Sequence, residues 1–128
     1  MSMHIPSLYI APSPKAGRGV FTSAPIEPDD VIEICPVIIV PEKDVPLIHQ
    51  TYLHDYYFLW ENKQCAIALG YGSLYNHSPL PNAEYYMDYD NQAISVYCIR
   101  PIQPGEEITI SYTDEGDERT KLWFDVQE

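Results

Sequence analysis

Two short segments in the second half of the chain carry the side chains best suited to hold or process a ligand. Residues 76–82 have the sequence NHSPLPN, and residues 105–112 have the sequence GEEITISY. In the first, prolines restrict the backbone while short polar side chains converge, which suits either a hydrogen-bonded loop or a ligand site. In the second, Tyr112 ends an apolar strand, a position typical of an aromatic core residue with its hydroxyl at the rim. Each segment taken alone leaves its role open.

A third segment, residues 17–21 with the sequence GRGVF, predicts a tight turn near the start of the chain. Its two glycines let the backbone approach a neighbour closely and leave amide groups available to a ligand. The segment lacks the third glycine, the following helix and the acidic partner of a dinucleotide-binding fingerprint. Taken alone, it favours a turn that binds nothing.

The histidines and cysteines do not predict a metal site. None of the four histidines follows a recognised metal-binding spacing, and the three cysteines include no C-x-x-C pair. Each cysteine lies among apolar or β-prone neighbours, so we predict three buried or half-buried free thiols at Cys35, Cys65 and Cys98.

Length and charge restrict the class of protein. The 128 residues suit one domain over 1–128, with a core at about 8–112 and an acidic, aromatic tail at 113–128. The formal net charge of −12 disfavours direct nucleic-acid binding and favours a basic partner, although an acidic surface also serves solubility alone. No apolar run approaches the ~20 residues that cross a membrane. The first residues lack a secretory-signal pattern, so we expect a soluble, intracellular protein with no membrane partner.

The elements that must position these segments are mostly short strands. Strands are predicted at residues 8–11, 20–21, 66–69 and 108–112, and a hairpin is predicted from residues 85–87 and 93–99. Pro104 and Gly105 occupy the positions that a type II turn requires. Residues 31–40 are β-prone, but Pro36 favours two short strands or an edge strand. The pattern predicts a mainly β fold, and a sandwich or a barrel would also satisfy it.

One short helix is predicted, and it is the only one that the sequence supports. Asp44 is placed to cap its N-terminus, with Pro46 in its first turn. One face of this helix would carry Val45, Ile48, Tyr52 and Tyr56.

In this order along one chain, the three segments resemble the signature of SET-domain protein-lysine methyltransferases. The matching segments are residues 17–21, residues 69–78 (LGYGSLYNHS) followed by Pro81 and Asn82, and residues 101–112. The resemblance spans roughly Leu8 to Trp123, and in its small size the chain is similar to stand-alone viral and bacterial SET proteins. It implies a mainly β, β-clip-like fold of several small curved sheets with little helix. The last motif would thread through a loop of the central segment to form a C-terminal pseudoknot.

The resemblance also implies an activity, which is methyl transfer from S-adenosyl-L-methionine to the ε-amine of a lysine in a histone or another basic protein. Tyr112 would be the catalytic tyrosine. The backbone of Gly17, Arg18 and Gly19 would lie along the methionine part of the cofactor. Its adenosine part would lie against Asn76, His77 and Trp123. Tyr56 or Tyr57 would line the lysine channel, together with Ile110.

Physical chemistry is consistent with these roles. The sulfonium carries an activated methyl group, so the protein has mainly to align a nucleophile with it. A lysine with a pKa near ~10.4 is protonated at neutral pH and cannot attack. A dry aromatic channel lowers that pKa because it disfavours the ammonium. No metal is required.

Two positions depart from the family pattern. Ile110 stands where many relatives have Phe or Tyr, so the number of methyl groups added cannot be predicted from this position. Pro79 stands where many relatives have a cysteine, and cysteine-rich flanking modules are absent. The active site would therefore be covered by residues 113–128, by a second subunit in a homodimer or by the substrate. The enzyme would be cytoplasmic, or nuclear and chromatin-associated if it acts on histones. The alternative function is a catalytically weak SET domain that serves as a peptide-binding or assembly module.

Overall fold

A computed structural model describes residues 3–14 and 17–111 of the chain. Of these described residues, 45% lie in strands and 17% in helices, which confirms the predicted mainly β class. The strands are β1 (Met3–His4), β2 (Leu8–Pro12), β3 (Arg18–Thr22), β4 (Val31–Val40), β5 (Phe58–Leu59), β6 (Cys65–Ala68), β7 (Asn76–His77), β8 (Ala83–Asp88), β9 (Ala93–Cys98) and β10 (Glu107–Ile110). The helix α1 (Val45–His49) is joined by 3-10 turns at Glu42–Asp44, Tyr52–Asp55, Glu61–Lys63 and Gly72–Leu74.

These strands form two sheets. The larger has the order β5-β6-β4-β9-β8, with β1 also paired to β4, and the smaller has the order β2-β3-β10-β7. In the smaller sheet, β10 is antiparallel to β3 and parallel to β7. A strand from the end of the chain therefore lies between one from its beginning and one from its middle.

The predicted hairpin and the predicted turn are both present. Strands β8 and β9 pair in antiparallel register from Ala83↔Cys98 to Asp88↔Ala93. At the predicted type II turn, Glu106 N donates to Gln103 O at 3.0 Å. Gly105 has a φ of +85°, the left-handed conformation that the third position of such a turn needs.

The prediction of two short strands or an edge strand around Pro36 is wrong, because β4 is one ten-residue strand inside the larger sheet. The carbonyl oxygen of Pro36 accepts from Leu69 N at 3.0 Å, so its nitrogen faces the same flank of the strand. On that flank β1 pairs as far as Ile34, and β6 begins to pair at Val37. The proline nitrogen therefore falls between the stretch of β4 that pairs with β1 and the stretch that pairs with β6, so among the described residues no ladder hydrogen bond is lost there.

The predicted helix is present, but it is shorter than its apolar pattern suggested. It ends at His49, and Tyr52 begins a separate 3-10 turn in which the Thr51 side chain accepts from Leu53 N. The prediction that Tyr52 and Tyr56 extend one helical face is therefore wrong. Asp44 occupies the N-cap position, but its side chain makes no capping hydrogen bond.

The main apolar cluster draws on both sheets and holds them together. Its fully buried members are Val20, Ile26, Ile32, Tyr75, Ala83, Val96, Cys98, Ile102, Ile108 and Ile110, with Leu8 almost so. A second cluster lies within the larger sheet around Cys35, Trp60 and Ile94. The predicted three buried free thiols are confirmed.

Burial should make all three thiols unreactive in the native protein. It raises the pKa of the Cys65 thiol to about 11 and is also the main cause of the raised pKa values of Cys35 and Cys98. Because the thiolate is the reactive form, a raised pKa lowers the alkylation rate at neutral pH. We expect iodoacetamide to leave the native protein unlabelled and to modify all three cysteines in urea, as counted by mass spectrometry. Equal labelling in both states would contradict the burial described here.

Candidate active site and cofactor-binding site

Strand β10 brings the three sequence segments together. Ile108 lies opposite Val20 of β3, and on the other edge Thr109 lies opposite Asn76 of β7. Ile110, the last residue of β10, lies opposite His77. The segment at 17–21, which is mostly β3, the segment at 76–82 and the strand at 107–110 therefore meet within one small sheet.

The loop after β7 fixes β10 through a buried asparagine. Asn82 is 2% exposed, and its Nδ2 donates to Glu107 O at 2.9 Å while its Oδ1 accepts from Thr109 N at 2.9 Å. Ser78 N donates to Ile110 O at 2.9 Å. Sequence reasoning quoted Asn82 as part of a motif but assigned it no role. Its position directly after a proline in a polar loop is the only signal that could have suggested one.

The carboxamide of Asn76 joins the first segment to the last. Its Nδ2 donates to Arg18 O at 3.1 Å and to Glu107 Oε2 at 2.8 Å. Both acceptors are oxygens that cannot donate, so the orientation of the amide group follows from its partners.

The two glycines of the turn are needed for different reasons. Gly17 has a φ of +50°, a left-handed conformation that other residues rarely adopt, and an added Cβ would meet no atom within 4 Å. At Gly19 the constraint is space, since a Cβ would lie 2.2 Å from Glu107 Oε2 and 2.8 Å from Asn76 Nδ2. The backbone at Gly19 therefore lies directly against the Asn76 and Glu107 side chains.

A buried carboxylate holds the segment that leads into Asn76. Glu33 of β4 is 1% exposed, and it accepts from Tyr75 Oη at 2.6 Å and from Tyr71 N at 2.9 Å. Burial, followed by the nearby Glu33 carboxylate, raises the pKa of Tyr75, so its hydroxyl keeps its proton and donates. Sequence reasoning missed this contact, although a single acidic residue inside the apolar run of β4 is a signal for it.

Removing the Tyr75 hydroxyl should destabilise the fold. Tyr75→Phe leaves the buried Glu33 with one donor fewer, a loss of about 1–3 kcal/mol in the free energy of unfolding. Urea denaturation would measure it. Tyr97→Phe is the matched control, because the Tyr97 hydroxyl also donates to a carboxylate, Glu84 Oε1 at 2.6 Å, but at an exposed position. An equal loss of unfolding free energy in the two variants would contradict this explanation, because it would show that the burial of Glu33 does not strengthen the effect of losing its hydrogen bond.

The two tyrosines predicted to line the channel have different surroundings. Tyr57 is buried, and its hydroxyl lies 2.8 Å from His49 Nδ1. Tyr56 is half-buried with its ring centroid 5.8 Å from that of Tyr52, and a hydrogen bond with Tyr52, followed by burial, raises the pKa of Tyr56. The positive charge of Arg18 acts in the opposite direction on that pKa. Tyr56 is therefore within electrostatic reach of Arg18.

The remaining predicted site residues divide into those the structure describes and those it does not. Ile110 is fully buried in the main apolar cluster, and His77 is half-buried beside it. Tyr112 and Trp123 lie outside the described residues. In the described part of the chain, no cluster of three or more His, Cys, Asp or Glu side chains could hold a metal ion. The same residues contain no helix that is long and apolar enough to cross a membrane.

Comparison with known proteins identifies the class to which this fold and site belong. The family model of the SET domain matches residues 17–113, so the chain belongs to the SET-domain family. Over 119 residues it is 37% identical to the histone-lysine N-methyltransferase of Schizosaccharomyces pombe that is specific for H3 lysine-37, covering 92% of this chain and 77% of that protein. The crystal structure of a candidate histone methyltransferase from Plasmodium falciparum matches with a TM-score of 0.72 and 35% identity, over 84% of this chain and 93% of that one.

These findings confirm the predicted fold and the predicted class of enzyme. SET domains catalyse S-adenosylmethionine-dependent methylation of lysine, and the chain is a protein-lysine methyltransferase by family membership.

Proposed function

We propose that this enzyme methylates a lysine in the basic tail of a histone, with histone H3 as its substrate. The observation that carries the proposal is the meeting of Gly19, Asn76 and β10 in one sheet, since it joins all three motifs on which the family's activity depends. The Schizosaccharomyces pombe relative acts on H3 lysine-37, and this supports the choice of H3.

The described residues fit S-adenosylmethionine as cofactor, which supplies an activated methyl group when it is bound. The backbone at Gly19 lies directly against the Asn76 and Glu107 side chains, and the positive φ of Gly17 turns the backbone beside it. With Nδ2 of Asn76 committed to two acceptors, its Oδ1 remains to accept from a donor such as an amino group. We propose that Gly17, Arg18 and Gly19 hold the methionine part. The backbone groups of Asn76 and His77, together with Trp123, would hold the adenosine part, and Oδ1 of Asn76 would face the amino group of the methionine part.

The protein's own contribution to catalysis would be to orient the lysine and to favour its neutral amine form. We propose that Tyr112 orients the amine and that Tyr56 lines the channel, with Ile110 behind them. The Tyr56 hydroxyl is neutral at neutral pH, and its raised pKa extends this neutrality to more alkaline pH, so the channel wall adds no negative charge that would stabilise the lysine ammonium. A neutral, aromatic wall therefore favours the free amine that attacks.

Charge supports a basic substrate. The chain carries 19 acidic and 7 basic side chains, a balance that attracts a segment rich in lysine and arginine. Action on H3 would place the enzyme at chromatin. Residues 113–128, a second subunit or the substrate itself would cover the site.

Methyl transfer from labelled S-adenosylmethionine to purified histones tests the proposal. We expect label on H3, at a lysine identified by mass spectrometry, and no label after arginine replaces that lysine. Cofactor binding with no transfer to any histone or other basic protein would favour the alternative of a peptide-binding module. Failure of the purified protein to bind S-adenosylmethionine or its product would contradict both.

A further inference from the structure

We propose that Glu107 is a positioning residue whose carboxylate sets the direction in which Asn76 presents its carbonyl oxygen to the cofactor. This inference rests on the proposed cofactor site. It assigns a function to a side chain to which sequence reasoning gave none.

The Glu107 carboxylate joins the beginning, the middle and the end of the chain. Oε2 accepts from Asn76 Nδ2 at 2.8 Å, and Oε1 accepts from Ser13 Oγ at 2.8 Å. The same Oε2 lies where a side chain at position 19 would have to be. The carboxylate therefore fills the space that Gly19 leaves and links the loop before the turn to Asn76.

These contacts leave the Asn76 amide one orientation. A carboxylate and a backbone carbonyl can only accept, so the Nδ2 group must face Glu107 and Arg18. Both of its hydrogens are then used. No donor among residues 3–14 and 17–111 is assigned to Oδ1, which is left as an acceptor. If Glu107 were removed, one of the two contacts that prevent the amide from rotating by half a turn would be lost.

The carboxylate is not needed to hold β10 in its sheet. The strand is fixed by its backbone pairing to β3 and β7 and by Asn82, which binds the backbone of Glu107 and Thr109. A change confined to the Glu107 side chain should therefore leave the strand in place and alter only what Asn76 presents.

Two ligands that differ in their hydrogen-bond donors distinguish a positioning role of Glu107 from a merely structural role. S-adenosylhomocysteine carries an α-ammonium that can donate to Asn76 Oδ1, whereas 5′-methylthioadenosine lacks the amino-acid part. In calorimetry, we expect Glu107→Ala to weaken S-adenosylhomocysteine binding by about tenfold or more and to change methylthioadenosine binding by less than about twofold. In steady-state assays, KM for the methyl donor should rise by a similar factor with little change in kcat.

Two further variants act as controls. Glu107→Gln keeps an oxygen that can accept from Asn76, so it should restore most of the affinity that Glu107→Ala loses, and it remains informative if the alanine variant folds poorly. Glu106→Gln removes the same charge from the neighbouring residue, whose carboxylate is exposed and accepts from Gln103 N at 2.9 Å, and it should bind both ligands as the wild type does.

Unchanged S-adenosylhomocysteine binding in Glu107→Ala would overturn the inference. Equal weakening of the two ligands would overturn it as well, because that pattern indicates general damage to the site. If the wild type bound neither ligand, the proposed cofactor site itself would be wrong, an outcome that is visible before any variant is made.

Discussion

Gly19→Ala is expected to remove cofactor binding while leaving both sheets folded. The new Cβ would lie 2.2 Å from Glu107 Oε2 and 2.8 Å from Asn76 Nδ2, distances that real Cβ atoms do not tolerate. Both neighbours are side-chain ends that can move away, so the fold survives. Their movement breaks the Asn76–Glu107 hydrogen bond and pushes both groups into the space proposed for the cofactor. We expect affinity for S-adenosylhomocysteine to fall by at least about 100-fold in calorimetry.

Gly105→Ala provides the matched control for this prediction. Gly105 has a φ of +85° with no atom within 4 Å of an added Cβ, so alanine there is strained but displaces nothing. We expect it to lower the free energy of unfolding by about 1–2 kcal/mol and to leave cofactor affinity unchanged. Wild-type affinity in Gly19→Ala would show that the close contact at Gly19 does not shape the cofactor site.

Tyr112→Phe is expected to reduce methyl transfer by about 100-fold or more without weakening cofactor binding. Tyr112 lies outside the described residues, and its role is proposed from the family motif that ends with it. The strand that leads to it is well fixed, because Ser78 N donates to Ile110 O at the end of β10. Loss of the hydroxyl removes the group proposed to orient the lysine amine. The aromatic ring remains.

Single-turnover assays of methyl transfer would measure this effect, with cofactor affinity determined on the same preparations. Tyr97→Phe is the control, since its hydroxyl bonds Glu84 in the larger sheet and has no proposed part in transfer. Transfer at the wild-type rate in Tyr112→Phe would exclude Tyr112 as the catalytic tyrosine.

Local patterns predicted those parts of the fold that depend on neighbours in sequence. The β8–β9 hairpin and the turn at Gly105 follow from alternating apolar residues and from turn chemistry that a few consecutive positions specify. The helix after Asp44 began where it was predicted to begin. Its end at His49 could not be predicted from the spacing of apolar residues, which continues past that point. The separate 3-10 turn that follows is stabilised instead by the Thr51 side chain, which accepts from Leu53 N.

Features that depend on distant partners were missed. Pro36 looked incompatible with a central strand because the sequence does not show that it falls between the stretch of β4 that pairs with β1 and the stretch that pairs with β6. In the sequence, Glu33 and Glu107 are two of many acidic residues. Only the fold brings Glu33 into hydrogen-bond contact with Tyr75 and Glu107 into contact with Asn76. The site could be located from its motifs because particular residue types occur there in a fixed order along the chain. The supporting contacts join residues that are far apart in the sequence, and no local pattern predicts them.

The most direct test of the central claim is mass spectrometry of histone H3 after incubation with the purified enzyme and S-adenosylmethionine. The account predicts methyl groups on the ε-amine of a lysine in H3, present with the wild type and absent with Tyr112→Phe. Unmodified histone, from a protein that demonstrably binds the cofactor, would contradict it.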